Sequence, residues 1–321
     1  MSKIYTGSTP NSSLLTIRFI QVLTIFFLFT GCSLSFAEPL NNIQITTSIP
    51  PLYNIVQRLV PANFQVSNLI GPQESPHDFY FKPSHLKLLE KSDLILWIGP
   101  NLETGLVKAI TKLRTNSVSI LSILSTEKNI DIPFLKARHI HFHTQASNTD
   151  THSNFDPHIW LSPKHVQKIA WVISNLLAEK YPRYKPQLLE NYENFYMDLE
   201  ALDFKFKTIG SQIAPYYVYH DAYQYLEYAY QLPSLGPISA HPEIPLSAKQ
   251  IQHILDQIQK HQARCLFTEP QFNSKILERI QNLFKSYRLE IFEVNPLGKL
   301  NQDPIQTIED VIGQFEKCKR L

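Results

Sequence analysis

Five of the chain's twelve histidines, His139, His141, His143, His152 and His158, fall in one stretch, HIHFHTQASNTDTHSNFDPHIW, from 139 to 160. Neutral imidazole is the commonest side-chain ligand for metals, so metal binding is the first chemistry that this stretch raises. The last of the five differs from the rest. His158 stands in FDPHIWLSP, beside Trp160 and just ahead of a Ser-Pro pair that reads as a helix start. The four before it lie among Ser, Asn and Thr with no apolar periodicity. Two further histidines have similarly constrained surroundings: His77 in SPHDFYFKPS, after the turn at Gly71-Pro72, and His220 in VYHDAY, at the carboxyl end of a predicted strand. Asp78, Asp156 and Asp221 are the neighbours expected to fix the three rings. Any one such histidine is more often a hydrogen-bonded structural residue than a ligand. All three together, with His220 at the strand end where open α/β sheets bind ligands, point to a metal.

Side chains so far apart in sequence need a scaffold to bring them together. Short β-rich runs alternate with helical patterns in both halves, which predicts two α/β lobes with largely parallel sheets flanked by helices. Strands are expected at Ile43 to Thr47, Phe64 to Ile70, Asp93 to Ile98 and Val118 to Leu121, then at Tyr216 to Tyr219, Arg264 to Thr268 and Leu289 to Val294. Helix starts are marked by Ser247 with Gln250, by Asp303-Pro304 and by Ser162-Pro163. Between the halves, Leu188, Tyr192, Phe195, Leu199, Leu202, Phe206, Ile209 and Ile213 recur at intervals of three and four. They predict one helix from about Pro186 to Ile213, on the order of 40 Å long at 1.5 Å per residue, suited to a rigid strut between lobes. A core helix inside one domain would carry the same stripe. The expected division is 38–183 for the first lobe with a histidine-rich loop at 136–155, 184–213 for the linking helix and 214–321 for the second lobe.

Composition excludes several classes. Charged residues make up 18% of the chain and the formal charge is only +2, so there is no nucleic-acid footprint. Nine glycines, with neither a Gly-x-Gly-x-x-Gly nor a P-loop spacing, disfavour nucleotide chemistry. The uncharged apolar run from Phe19 to Thr30, preceded by Lys3 and Arg18, reads as a signal peptide. Cleavage after Ala37, giving a signal at 1–37, is favoured over a lipobox-like reading that would anchor the chain through Cys32. Loss of Cys32 leaves Cys265 and Cys318, either bridged in an oxidising compartment or both reduced in a core.

The ordered series PHDF, a His-rich loop, PHIWLSP, YHDAY, HPEIP, FTEPQF and NPLG resembles the metal-specific solute-binding proteins of bacterial ABC transporters, and is most similar to their zinc-binding ZnuA type. The likeness runs from Ile43 to the last predicted helix. It implies two α/β lobes joined by one long helix with the metal in the cleft between them. It also implies zinc ligands at His77, His158 and His220, and a disulfide between Cys265 and Cys318. Two departures stand out. Asn295 occupies the place before Pro-Leu-Gly where many relatives have Asp, and Pro76 precedes the first ligand where some zinc-binding members have Glu.

The fourth ligand is left open between water and a carboxylate. Three neutral imidazoles favour Zn2+ over manganese, which prefers oxygen donors. The expected function is a non-enzymatic, periplasmic zinc-binding protein, monomeric, which delivers its ion to an inner-membrane ABC permease with a separate ATPase and binds no nucleic acid. The alternatives are a manganese- or iron-binding member of the same family, or a zinc-dependent hydrolase with Glu269 or Glu243 as its base. Asn295 is expected to line the cleft without binding the metal.

Overall fold

The computed structural model describes residues 42–113, 119–125, 134–138, 155–239, 242, 246–272, 274–284, 287 and 289–319. The expected signal segment with Cys32, the histidines at 139, 141, 143 and 152, and Glu243 lie outside the described residues.

Each half builds a four-stranded parallel sheet. The first comprises β1 (Ile43–Thr47), β2 (Phe64–Asn68), β3 (Leu94–Trp97) and β4 (Ser119–Ser122) in the order β2-β1-β3-β4. The second comprises β5 (Tyr216–Val218), β6 (Ser234–Pro237), β7 (Cys265–Thr268) and β8 (Glu290–Glu293) in the order β6-β5-β7-β8. Parallel neighbours need crossovers, and helices supply them. In the first half these are α1 (Pro50–Leu59), α2 (Pro83–Glu90) and α3 (Val107–Leu113). In the second they are α6 (Gln224–Tyr230), α7 (Ala248–His261) and α8 (Ser274–Phe284), and α9 (Pro304–Phe315) follows the last strand. Between the sheets run α4 (Pro163–Lys180) and α5 (Lys185–Phe206).

The two-residue period of the strands divides the interior of the second sheet. Tyr216, Val218, Cys265 and Phe267 face the main core, while Tyr217, Tyr219 and Leu266 face a smaller cluster made with Ile254 and Ile258 of α7 and with Ile280 and Phe284 of α8. The main core does not stop at a lobe boundary. It is continuous from Ile45 and Leu94 under the first sheet to Val218 and Phe267 under the second, and residues 42–321 form a single compact unit.

The long helix is shorter than its apolar stripe. Leu188, Phe195, Leu199, Leu202 and Phe206 are buried along α5 as expected, but the helix ends at Phe206, so its 22 residues span about 33 Å. Ile209 and Ile213 are buried from a separate 3-10 turn, Ile209–Gln212. Gly210 permits this break: a Cβ there would lie 2.3 Å from the carbonyl oxygen of Tyr230 and 2.6 Å from that of Gln231. The α5 helix packs on α4, α1 and α9.

β6 was not expected, and its sequence, Ser-Leu-Gly-Pro, carries two residues that strands usually avoid. Cys265 and Cys318 are joined, tying β7 to the segment after α9.

Candidate metal centre

His77 sits on the loop between β2 and α2. That loop is folded on itself by Glu74, whose carboxylate accepts from the Gly71 amide at 2.7 Å, and is held from below by the segment 99–106. Thr104 Oγ1 donates to the carbonyl of His77 at 3.1 Å. Gly105 lies so close that a Cβ would be 2.1 Å from the carbonyl oxygen of Phe79. Glu103, fully buried, accepts from Ile98 N at 3.0 Å, from Gly99 N at 2.9 Å and from the Ser48 hydroxyl, joining the carboxyl ends of β1 and β3. Burial raises its pKa to about 7 against the pull of those bonds.

His158 is fixed by its own turn. Asp156 Oδ1 accepts from the His158 amide at 2.9 Å and faces the ring Nδ1 at 2.7 Å. A proton on Nδ1 leaves the lone pair on Nε2, pointing away from the carboxylate. Trp160, two residues on, donates from Nε1 to the carbonyl of Pro296 at 2.8 Å, so the turn is also fastened to the second half. Burial raises Asp156 to about 6.

His220 follows β5. Its Nδ1 lies 3.3 and 3.4 Å from the two oxygens of Glu269, which is buried just beyond the end of β7. Glu269 thus stands behind the imidazole as an orienting group.

The three rings converge. Their centroids are 4.9 to 5.3 Å apart, and Nε2 of His77 is 3.2 Å from Nε2 of His158. Nitrogens bound to one tetrahedral zinc at 2.0–2.1 Å are about 3.3 Å apart, so this spacing suits a shared ion. Among the described residues they are the only group of three His, Cys, Asp or Glu side chains whose ligand atoms all lie within 4.8 Å of one another. Burial, and then the neighbouring rings, lower the pKa of His77 and His158 well below the ordinary value, so both are neutral and ready to coordinate at pH 7. The cavity they share is only about 10 Å³, walled by Pro76, Trp160, Ala222, Phe272 and Leu297. That is less than an organic ligand usually occupies.

Several expectations are corrected. Of the three proposed acidic partners only Asp156 holds its histidine. Asp78 is exposed, and Asp221 is bound by Arg138, leaving His220 to Glu269. Ser162 stands at the N-cap of α4 as expected, but its hydroxyl makes no capping bond and lies 3.0 Å from His165 Nδ1. Asn295 does not wall the space around the histidines, because its amide is committed to the turn at 295–298 and to Gln271. Its neighbours Pro296 and Leu297 line the site instead. Sequence reasoning missed Glu103, Thr104 and Gly105. Their one signal was an acidic residue set in the otherwise apolar and turn-forming GPNLETGL.

A profile of the family described as zinc-uptake complex component A, periplasmic (ZnuA), matches residues 45–318. The chain belongs to the ZnuA family. It is 32% identical over 295 residues to the high-affinity zinc uptake system protein ZnuA of Haemophilus ducreyi, covering 86% of this chain and 93% of that one. A crystal structure of a ZnuA superposes with a TM-score of 0.73 at 22% identity, over 87% of this chain and all of the other. A zinc-bound ZnuA deletion mutant superposes with a TM-score of 0.71 at 21% identity, over 88% of this chain and 99% of its own. The two parallel-sheet α/β halves of the ZnuA fold are thus the architecture seen here.

Proposed function

We propose that the protein is the zinc-capturing component of an ABC importer, binding one zinc ion through His77, His158 and His220 and passing it to a membrane permease driven by a separate ATPase. The observation that carries this reading is the convergence of three buried or half-buried imidazoles, two of them backed by carboxylates, in a space too small for an organic solute. The relatives described as zinc uptake proteins support it. The metal-facing group contains no carboxylate, which favours zinc over manganese or iron. In this reading residues 1–37 are an export signal, the mature chain acts as a periplasmic monomer, and 38–183 and 214–321 are its lobes with 184–213 between them. Among the described residues no helix is long and apolar enough to cross a membrane. The histidines at 139, 141, 143 and 152 serve as an accessory to the tight site.

Native mass spectrometry of protein purified without added metal should show one zinc per chain. In chelator competition, alanine at His77, His158 or His220 should each weaken zinc binding by more than about a hundredfold, beyond the usual loss for an outer-shell change. Unchanged affinity in any of these variants removes that residue from the site.

A further inference from the structure

Arg138 lies between the two halves of the site without touching its rings. Its Nε is 3.0 Å from both oxygens of Asp221, its Nη2 also bonds Asp221, and its Nη1 is 2.8 Å from Glu227 of α6. Asp221 directly follows His220. Glu227 is buried and further held by the Tyr216 hydroxyl at 3.2 Å. Two carboxylates this close and this poorly hydrated repel each other unless a cation separates them, and the planar guanidinium can grip both at once.

Arg138 itself is anchored on the His158 side. It ends the segment 134–138, which pairs with the chain just before His158 through the antiparallel bridge between Lys136 and Phe155 and the bond from Asp156 N to Leu135 O at 2.8 Å. Phe134 packs on Phe155 and on His165 of α4. Tyr225 of α6 closes the other side. Its hydroxyl accepts from Leu135 N at 3.0 Å and donates to the carbonyl of Asp156 at 2.9 Å. A connected path of polar contacts therefore runs from His158 through Asp156, Leu135 and the 134–138 segment to Arg138, Asp221 and the turn of His220.

We propose that Arg138 is a positioning residue for the metal, a clasp that fixes the His220 turn of the second half in register with His158 of the first. This rests on the reading of the three histidines as the zinc site. The clasp acts by holding the third ligand once the ion is bound, so its loss is felt in zinc release rather than in capture. Lysine keeps the charge without the fork and should restore only part of the effect.

The test measures zinc affinity by chelator competition, zinc dissociation by stopped flow with excess chelator, and thermal midpoints with and without zinc. Wild type is compared with Arg138→Gln, Arg138→Lys, Asp221→Asn and the Arg138→Gln/Asp221→Asn double variant. Arg138→Gln should release zinc about tenfold to a hundredfold faster with an association rate close to wild type, as outer-shell changes do. Its zinc-induced rise in midpoint should shrink accordingly, with Arg138→Lys intermediate. The double variant should be no worse than the sum of the single variants and should show measurable coupling. A lower midpoint in both metal-free and loaded protein with wild-type zinc release reduces Arg138 to a structural ion pair and overturns the proposal. Should Arg138→Gln fail to fold, Asp221→Asn decides alone, because it leaves Glu227 paired, and unaltered release from it has the same consequence. Failure of wild type to bind zinc tightly would instead refute the site itself.

Discussion

At the scale of single residues, the site is one of neutral nitrogen donors whose charge-balancing groups stand behind them. His77 and His158 are held below the ordinary histidine pKa, first by burial and then by the rings around them. Two histidines of ordinary pKa would together release about 1.5 protons on binding zinc at pH 6. This pair should release almost none, a difference readable from calorimetry in buffers of different ionisation enthalpy. Release near the ordinary value would show that the rings are charged before the ion arrives. The same depression makes the metal-free fold acid-sensitive. A folded pKa below the unfolded one means that the unfolded chain binds more protons, so the stabilisation from these two rings is complete above about pH 6.5 and is lost as the pH falls through their folded values. Glu103 works in the opposite sense. Its pKa of about 7 lies above the ordinary carboxylate value, so its contribution is complete at low pH and is lost as the pH rises through 7.

At the scale of elements, the loop carrying His77 is only as well placed as the segment under it. Alanine at Gly105 would put a methyl carbon 2.1 Å from the carbonyl oxygen of Phe79. The loop must then lift, with an expected cost of about 1–3 kcal/mol in stability and about a tenfold loss of zinc affinity. Normal affinity in Gly105→Ala would mean that the loop yields without carrying His77 with it. This support was hidden from sequence reading because it acts through a backbone approach between residues 26 apart, 79 and 105, which no periodicity records. What could be read was local. Seven strands stood out as β-branched or apolar runs, His158 and Asp156 lie two residues apart, and Ser247 with Gln250 forms the expected capping box. Choices settled by tertiary structure could not be read. His220 takes Glu269, 49 residues away, over adjacent Asp221, and α5 stops before the end of its stripe because Gly210 nests against Tyr230.

At the scale of the molecule, one core shared by both sheets makes the site a property of the whole fold, and the bridge between Cys265 and Cys318 reinforces it. Replacing both cysteines by serine opens a link between residues 53 apart. The chain-entropy estimate for that link is about 4 kcal/mol, a fall in thermal midpoint of roughly 7 °C for a chain of this size. An unchanged midpoint under oxidising conditions would show that the bridge does not restrain the unfolded chain. The same bridge has a consequence for how the protein is made. Cys265 lies on β7, at whose end Glu269 orients His220, and Cys318 follows every residue of the site in the order of synthesis. A nascent chain therefore exposes all of its histidines before the strand behind the third one can be locked. Because such bonds persist only in oxidising compartments, export of the chain as proposed above puts the closing of this lock after synthesis, once the polypeptide has left the reducing cytosol.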